Sequence, residues 1–397
     1  MLNPPIPGDV RDLRERIRRF VQTELVPLEG DPGAYDDHEN IDLSRLQALR
    51  AKAKAQQLWA LQMPRERGGR GLPMSGLAVC YEEMSQSIFG PVVFNAAAPD
   101  DGNMIVLERV ATDAQKQKWL QPIVDGAVRS SIVMTEPMPG AGSDPTMMRT
   151  TAERKGDRWV IRGSKWFITG AGIAQHFLLL ARTSDDRRKG LTAFMFHRDT
   201  PGWEIVRRIP IMGPEEHGGH CELRFDGLEI PDEDRLLGVG DGLKVVQIRL
   251  GRARLTHCMR WLGLSRKALN IALSYVTQRE AQGSKLVDRE GVRWLLADAA
   301  TDIHTGRLLV MDAATKLDGG DFARKEISMA KVTVANALQH AVDTAIQLCG
   351  ARGYSNDTPL SWIYRYARQA RLVDGATEVH KGVIASFLVN DGDAFWT

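Results

Sequence analysis

The sequence predicts an α+β protein in which helices, then strands, then helices follow one another along 397 residues. From Asp9 to about Gly126, apolar residues recur every three or four positions, which is typical of amphipathic helices. From about residue 130 to 238, short β-branched and aromatic runs are separated by Gly, Pro and Asp, which favours strands. Helical periods return from Gly242. We therefore predict three domains: a helical domain at 1–129, a β-barrel-like domain at 130–239 and a four-helix bundle at 240–397.

Individual segments support this division. The Gly/Pro-rich stretch 61–73 is typical of a connection within the first helical domain. Thr112 opens the helical segment 112–120 and is a suitable N-cap residue. Three long helical periods follow the β-rich part: Ala253 to Thr277, Gly291 to Lys316 and Lys325 to Leu348. Each is long enough to span a helical bundle.

The composition is that of a folded globular protein. A chain of 397 residues exceeds the roughly 250–300 residues that one core supports, which indicates more than one domain. Hydrophobic residues make up 43% and charged residues 26%, so a disordered chain is excluded. Lys and Arg (52) nearly balance Asp and Glu (50), and no long block of like charge occurs. We therefore expect no nucleic-acid partner.

The sequence also lacks patterns for membranes, secretion and metals. No apolar run approaches the roughly 20 residues of a spanning helix, and no basic start with an apolar stretch suggests secretion. The four cysteines are far apart and form no C-x-x-C pair. His217 and His220 have metal-like spacing but no Cys or carboxylate partners in a ligand arrangement. We expect a cytoplasmic protein without a membrane span or a metal site.

Two motifs in the β-rich part indicate the chemistry. The common signatures of nicotinamide binding, serine hydrolysis and nucleoside triphosphate binding are absent from the sequence. Residues 134–144 read MTEPMPGAGSD, and residues 163–172 read GSKWFITGAG. Together and in this order, they resemble the flavin-binding middle domain of acyl-CoA dehydrogenases. The resemblance implies the acyl-CoA dehydrogenase fold, with FAD as the cofactor and an acyl-CoA as the substrate.

The resemblance extends over essentially the whole chain. It includes the helix start at 112–120 and AIQLCGARGYSNDTPL at 345–360. Three further segments, FNAAAPDDGNM at 94–104, EHGGHCELRF at 216–225 and GRARLTHCMRWLGL at 251–264, give a closer comparison. They look most similar to the dehydrogenase part of eukaryotic proteins that fuse a phosphotransferase domain to an acyl-CoA dehydrogenase.

The resemblance assigns the flavin to the two β-domain motifs. The hydroxyls of Thr135 and Ser143, with backbone N–H groups beside small glycines, would approach the flavin carbonyls and N5. The Phe167 ring would lie against the isoalloxazine. Met138 and Pro139 are two extra residues inside the family's TEP-GAGSD pattern, so we expect a reshaped loop. The residues assigned to the flavin here are Met134, Thr135, Gly142, Ser143, Phe167 and Thr169, and Ser143 is also assigned to the substrate.

The same comparison assigns the catalytic base to Asp374, in RLVDGATEVH at 371–380. The fifteen-residue step from Pro359 to Asp374 matches the family's spacing, and Ala253 occupies the alternative base position of some members. In the family, the base removes the pro-R Cα proton while a hydride leaves Cβ for flavin N5. The thioester oxygen is held by the base's own N–H and a ribityl hydroxyl. We expect burial under the acyl chain to raise the pKa of Asp374.

An Asp in place of the usual Glu leaves the substrate open. Asp is one methylene shorter, and nitroalkane oxidases, which share the fold, also use an Asp base. Three classes therefore compete: an acyl-CoA dehydrogenase, a flavin oxidase acting on a substrate without CoA, and a catalytically silent homologue. The carboxylate at position 374 argues against the third class. For a dehydrogenase, we expect electrons to pass to an electron-transferring flavoprotein.

The remaining assignments concern the adenosine end of FAD and the substrate. Arg279, Gln347 and Gly350 match residues that reach the cofactor of a neighbouring subunit, and a guanidinium suits a pyrophosphate. Ala376 and Glu378 replace the family's Thr and Gln at the same site, and Gln282 replaces a Phe. These matches imply a homodimer or homotetramer. Arg254 matches an Arg close to the base and the acyl-CoA.

Two further segments concern the flavin and the acyl pocket. The HGGH loop could place His220 near the flavin or close a hairpin with its two glycines, and we favour the hairpin. The blind end of the acyl pocket is expected around Asn95 to Met104. Neither segment fixes the length, branching or hydroxylation of the acyl chain.

Overall fold

The computed structural model describes residues 6–396, and it begins with a layer of helices. The first helix buries Val10, Leu13, Ile17 and Phe20, the apolar stripe that the sequence spacing predicts. Short π and 3₁₀ turns link several helices. The α-helices of this part are α1 (Gly8–Phe20), α2 (Leu43–Ala55), α3 (Met74–Met84), α4 (Gly90–Val93), α5 (Asp100–Val110), α6 (Asp113–Gln115) and α7 (Gln121–Val124).

The start of α6 shows how local chemistry fixes a boundary. The Thr112 hydroxyl accepts a hydrogen bond from the Gln115 N–H at 3.3 Å, and the Gln115 side chain accepts from the Thr112 N–H at 3.0 Å. This is a reciprocal capping box, so Thr112 is the N-cap residue that its position predicts.

The middle part is a mixed sheet of eight strands, in the order β6-β7-β3-β2-β4-β5-β8, with β1 paired to β4. The strands are β1 (Ser130–Val133), β2 (Thr151–Lys155), β3 (Arg158–Thr169), β4 (His176–Arg182), β5 (Leu191–His197), β6 (Trp203–Ile209), β7 (His220–Pro231) and β8 (Arg235–Leu236). Phe196 of β5 and Trp203 of β6 lie near opposite ends of the order, yet their ring centroids are 5.4 Å apart. The sheet therefore bends around one aromatic core, as the predicted barrel-like shape requires.

Long helices form the C-terminal part, and all three of the long helical periods are confirmed. The helices are α8 (Gly242–Val276), α9 (Glu290–Asp318), α10 (Arg324–Cys349), α11 (Ala351–Tyr354), α12 (Leu360–Gln369) and α13 (Thr377–Asp391). A small hairpin of β9 (Glu280–Ala281) and β10 (Ser284–Lys285) lies between α8 and α9. Helix α10 packs against α8, α9, α12 and α13 and is the centre of the bundle.

Two hydrophobic cores cross the boundaries between the three parts. One joins α1, α2 and α3 to α8, α9, α10 and α12, and the other joins α5, α7 and the sheet to the beginning of α8. The sheet, the start of α8 and the α12–α13 connection therefore meet at one place. The exact domain limits at 129/130 and 239/240 stay a prediction.

Other features of the described chain concern membranes, thiols and metals. Across residues 6–396, no helix combines the length and the apolar character needed to cross a bilayer. All four cysteines are buried and unpaired. Within the same residues, His, Cys, Asp and Glu side chains form no group of three or more that could hold a metal ion.

Candidate active site

A cavity of about 1230 Å³ lies where the three parts meet. Its lining comes from the β1 and β3 ends of the sheet, the start of β7, the first turns of α8, the α9–α10 connection and the α12–α13 connection. The volume exceeds the roughly 300–1,000 Å³ of typical small-molecule sites. The cavity can therefore hold a large cofactor group together with a substrate.

The sheet wall of the cavity is anchored by a buried ion pair. The Lys165 ammonium donates to Glu136 Oε1 at 2.9 Å and to the Met134 carbonyl at 2.9 Å, and both charged side chains are almost fully buried. Glu136 also accepts from the backbone N–H groups of Arg149 and Thr150. Burial lowers the pKa of Lys165 to about 8 despite the nearby carboxylate. This pair fixes the 134–144 loop against β3.

A β-bulge in β3 presents an aromatic ring to the cavity. The pairing of β3 with β7 shifts register between Lys165 and Ile168, and Phe167 has a left-handed backbone (φ 51°). Phe167 is consequently 46% exposed, although it belongs to a strand.

The two-residue insertion in the 134–144 loop extends outward, because its residue Met138 is 89% exposed.

The helical wall carries Asp374, in the turn between α12 and α13. Asp374 has a left-handed backbone (φ 51°), which is uncommon for a non-glycine residue. Two buried or half-buried cations hold the turn: Arg254 Nε donates to the Asp374 carbonyl at 2.6 Å, and Lys331 Nζ donates to the Gly375 carbonyl at 3.0 Å. The turn is thus fixed from α8 and from α10.

The Asp374 carboxylate faces two further basic side chains of α8. Arg249 Nη1 lies 3.5 Å from Oδ1, and His257 Nε2 lies 3.4 Å from Oδ2. Burial raises the pKa of Asp374, but the charge of Arg249, the hydrogen bond and charge of His257 and the charge of Arg254 outweigh it. Together they hold the pKa well below its usual range. The charges that face Asp374 therefore act against the rise in its pKa that we expect from burial under an acyl chain.

Sequence reasoning missed Arg249 and His257, although a signal existed. Both lie four residues from Ala253, the alternative base position, so the three residues share one face of a helix. Ala253 is small, and it leaves room for the longer side chains on either side. Asn103 accepts from Arg249 Nε at 3.3 Å and supports its orientation. Lys331 was also missed, because its role depends on contacts distant in sequence.

The charge lining the cavity is predominantly positive. Only two carboxylates line it, Asp374 and the exposed Asp321 near Phe322. The cationic lining residues are eight: Arg109, Lys244, Arg249, Arg252, Arg254, Arg324, Arg365 and Arg368. Such a lining suits an anionic ligand, and arginine is especially suited to phosphate.

His220 lines the cavity beside the sheet motifs. Its Nδ1 is 3.0 Å from the Thr169 hydroxyl, and its Nε2 is 3.1 Å from Glu216 Oε2. Gly218 and Gly219 do form a tight turn with positive φ, but His220 is the first residue of β7 and reaches the cavity. The two histidines also separate, because His217 Nε2 is bonded to the Ile41 carbonyl at 2.8 Å.

The structure brings together most but not all of the residues assigned from the sequence. Those lining the cavity are Met134, Thr135, Gly142, Ser143, Phe167, Thr169, Arg254 and Asp374. Those outside its lining are Arg279, Gln347, Gly350, Ala376 and Glu378, and all of these except Ala376 are exposed. No residue of 95–104 lines the cavity either, and Asn95 instead donates to the Ile123 carbonyl.

Family models match each part of the chain. The N-terminal domain of acyl-CoA dehydrogenases matches residues 8–127, the middle domain matches 131–228, and the C-terminal domain matches 240–389. Acyl-CoA dehydrogenase family member 11 of Gallus gallus is 37% identical over 391 residues, which are 95% of this chain and 50% of the relative. The chain thus spans about half the length of that relative.

Other similar proteins match along nearly their full length. The probable acyl-CoA dehydrogenase FadE2 of Mycobacterium tuberculosis is 34% identical, with 94% of each chain covered. The solved structure of a protein described as a putative acyl-CoA dehydrogenase from Mycobacterium abscessus has a TM-score of 0.91 at 37% identity, and the match covers 98% of this chain and 100% of that one. A glutaryl-coenzyme A dehydrogenase in complex with glutaryl-CoA has a TM-score of 0.86 at 26% identity, covering 98% and 97%. This chain belongs to the acyl-CoA dehydrogenases, a family of flavin-dependent oxidoreductases that act on CH–CH donors.

Proposed function

We propose that this protein binds FAD and desaturates an acyl-CoA between Cα and Cβ to give the trans-2-enoyl-CoA. The observation that carries the proposal is the opposition of two walls across one cavity. Phe167, Thr135 and Thr169 are presented by the sheet, and the Asp374 carboxylate is presented by the α12–α13 turn. A flavin on the sheet side and a base on the helical side would enclose the Cα–Cβ bond.

The sheet wall fits a flavin. The exposed Phe167 ring offers a surface for an aromatic group, and the hydroxyls of Thr135, Ser143 and Thr169 offer polar contacts beside it. Modelling a Cβ on Gly142 meets no atom within 4 Å, so the backbone there is open to a ligand. When bound, FAD supplies the acceptor for the hydride that leaves Cβ.

The residues of the helical wall supply the proton chemistry. Asp374, whose pKa is held well below its usual range, would be ionised and would accept the Cα proton. Arg254 and Lys331 fix the turn that positions this carboxylate, and the Asp374 N–H would polarise the thioester oxygen. A bound acyl chain that weakens the contacts to Arg249 and His257 would raise the pKa of Asp374 and strengthen it as a base.

The positive lining supports a phosphate-bearing substrate. FAD and CoA both carry a pyrophosphate, and the cationic side chains outnumber the carboxylates of the cavity eight to two. The glutaryl-CoA complex of a related enzyme supports an acyl thioester as the substrate class. Fatty-acid β-oxidation would be the setting of such a reaction.

Assembly and electron transfer complete the proposal. Arg279, Gln347 and Glu378 lie exposed and outside the cavity, as residues that contact the FAD of a neighbouring subunit would. Large apolar side chains of the bundle are also exposed, including Trp294 at 61%. Both features support a homodimer or homotetramer. An electron-transferring flavoprotein would then reoxidise the flavin.

One observation favours a second candidate. The strongly lowered pKa of Asp374 makes it a weak base, and a weak base suits a substrate whose C–H bond is already acidic. A nitroalkane has such a bond. A flavin oxidase of the nitroalkane oxidase kind is therefore the alternative.

An anaerobic titration of the FAD-loaded protein separates the two candidates. Short, medium and long acyl-CoAs are added while the flavin absorbance is followed. Bleaching with a charge-transfer band supports the dehydrogenase and brackets the chain length. No response to any thioester, combined with turnover of a nitroalkane under oxygen, supports the oxidase.

A further inference from the structure

We propose that His220, held by Glu216, is a positioning residue that sets the direction of the Thr169 hydroxyl and thereby the reduction potential of the bound flavin. The inference rests on the proposed function only in requiring FAD at the sheet wall. The inference does not depend on which substrate the protein uses.

The geometry links three residues in a row. Glu216 Oε2 lies 3.1 Å from His220 Nε2, and His220 Nδ1 lies 3.0 Å from the Thr169 hydroxyl. Both His220 and Thr169 line the cavity. Glu216 is held on its other side by Gln369, which donates to Oε1 at 3.4 Å. The row therefore ends at the Thr169 hydroxyl on the cavity surface.

The HGGH loop is shaped to hold this row. His217 is fixed to the Ile41 carbonyl, and a Cβ on Gly219 would lie 2.2 Å from Arg208 Nε. A side chain at position 219 would therefore displace the Arg208 guanidinium. Since the loop ends at His220, where β7 pairs with Thr169 of β3, the ring is delivered directly beside the hydroxyl.

The protonation state of His220 decides whether the Thr169 hydroxyl can donate a hydrogen bond into the cavity. In the charged ring both nitrogens donate, so the Thr169 oxygen accepts from Nδ1 and its own O–H is available to the cavity. In the neutral ring with Nε2–H directed at Glu216, Nδ1 accepts the Thr169 O–H and removes that donor from the cavity. Protonation of the buried His220 ring therefore frees one hydrogen-bond donor, the Thr169 O–H, at the sheet wall.

The charges around His220 favour the protonated ring. Burial lowers the pKa of His220, but the hydrogen bond and charge of Glu216 and the charge of Glu215 outweigh burial, so the pKa is raised. Arg208 on β6 acts in the opposite direction, and it is paired with Glu215. On α12, the nearby groups are Gln369 and Tyr366, whose pKa burial raises to about 12, so Tyr366 stays neutral.

The protonated His220 ring and the freed Thr169 O–H at the sheet wall would stabilise the electron-rich reduced cofactor. The wild type should then have a higher reduction potential than a variant with a neutral residue at position 220. The expected difference is about tenfold in the equilibrium between oxidised and reduced flavin, which is about 30 mV for a two-electron couple. The difference should shrink as pH rises through the pKa of His220.

The test measures the potential of the FAD-loaded protein against a reference dye, without substrate, from pH 6 to 9 (roughly the range around an imidazole pKa). The variants are His220→Gln, which keeps a polar side chain of similar reach, and Glu216→Gln, which removes the carboxylate partner. The control is His217→Gln, in the same loop but bonded to Ile41 outside the cavity. His220→Gln should lower the potential at low pH, where the wild-type ring is protonated. Glu216→Gln removes the group that raises the pKa of His220, so it should lower the potential between the pKa of the ring in the variant and its pKa in the wild type. The control should leave the potential unchanged.

A double-mutant cycle with Thr169→Val tests whether the effect passes through the hydroxyl. The effect of His220→Gln should be smaller in the Thr169→Val background, because the coupled donor is absent. Potentials of His220→Gln and Glu216→Gln that equal the wild type at every pH would overturn the inference. A shifted potential in a protein that no acyl-CoA reduces would overturn only the proposed substrate. A protein that does not bind FAD would overturn both.

Discussion

The two walls of the cavity handle buried charge in different ways. On the sheet wall, the Glu136–Lys165 pair is satisfied internally and lies behind the surface, so the cavity meets the Phe167 ring, hydroxyls and the His220 ring instead of this pair. On the helical wall, Asp374 and Arg249 face the cavity, and their contact of 3.5 Å is long for an ion pair. A buried ion pair whose hydrogen bonds are satisfied within the protein holds the fold together. A charged side chain that faces the cavity can instead interact with a ligand or exchange a proton with it.

The largest effect is expected at Asp374, the carboxylate that the helical wall presents to the cavity. Asp374→Asn removes the proton acceptor and should slow flavin reduction by acyl-CoA by roughly 10²- to 10⁴-fold, because general bases contribute about that much. FAD binding and folding should persist. Anaerobic stopped-flow absorbance measures the rate, and Asp321→Asn, the other carboxylate of the lining, is the matched control. Unchanged reduction would show that another group is the base.

A substitution in the ion pair of the sheet wall should instead change the free energy of unfolding. Lys165→Met leaves Glu136 buried without its cation and should lower the free energy of unfolding by about 3–5 kcal/mol. Arg224→Met breaks an exposed pair with Glu204 in the same sheet, and should cost much less, because solvent screens an exposed ion pair. Chemical denaturation of both variants makes the comparison. Equal losses would mean that the buried pair does not anchor the wall.

The pH dependence of flavin reduction tests which side chain lowers the pKa of Asp374. A base acts when ionised, so its rate falls as pH drops through its pKa. Arg249→Met removes the cation that contributes most to lowering this pKa, so the acidic limb of the reduction rate should move to higher pH. Arg252→Met, a neighbouring lining residue without a contact to Asp374, should leave the limb in place. Coincident profiles would assign the low pKa to another cause.

The smallest effect is expected at the aromatic surface of the sheet wall. Phe167→Ala should weaken FAD binding by roughly two- to tenfold, because one aromatic contact contributes about 0.5–1.5 kcal/mol. Its stability should change little, since the ring is 46% exposed. Phe322→Ala, at 79% exposed, also lines the cavity and is the control. FAD titrations of the apoprotein compare the two, and equal affinities would place the flavin elsewhere.

Sequence reasoning succeeded where local pattern and structure agree. The three long helical periods gave α8, α9 and α10 within a few residues, except that α8 begins about eleven residues earlier than its period at Ala253. The cap at Thr112 is local chemistry, so it could be read directly. Arg249 and His257 were missed because their importance depends on a turn more than 100 residues away along the chain. His220 was assigned to a hairpin for the same reason.

The order of helices and strands, the family, and the segment that carries the carboxylate could all be predicted from the sequence. These follow from periodicity and from motifs whose residues are neighbours along the chain. The charge environment of Asp374 and the position of His220 beside Thr169 became visible in the folded chain. The physical reason is that a pKa and a hydrogen bond depend on distances through space, and packing sets those distances between segments that are remote in sequence.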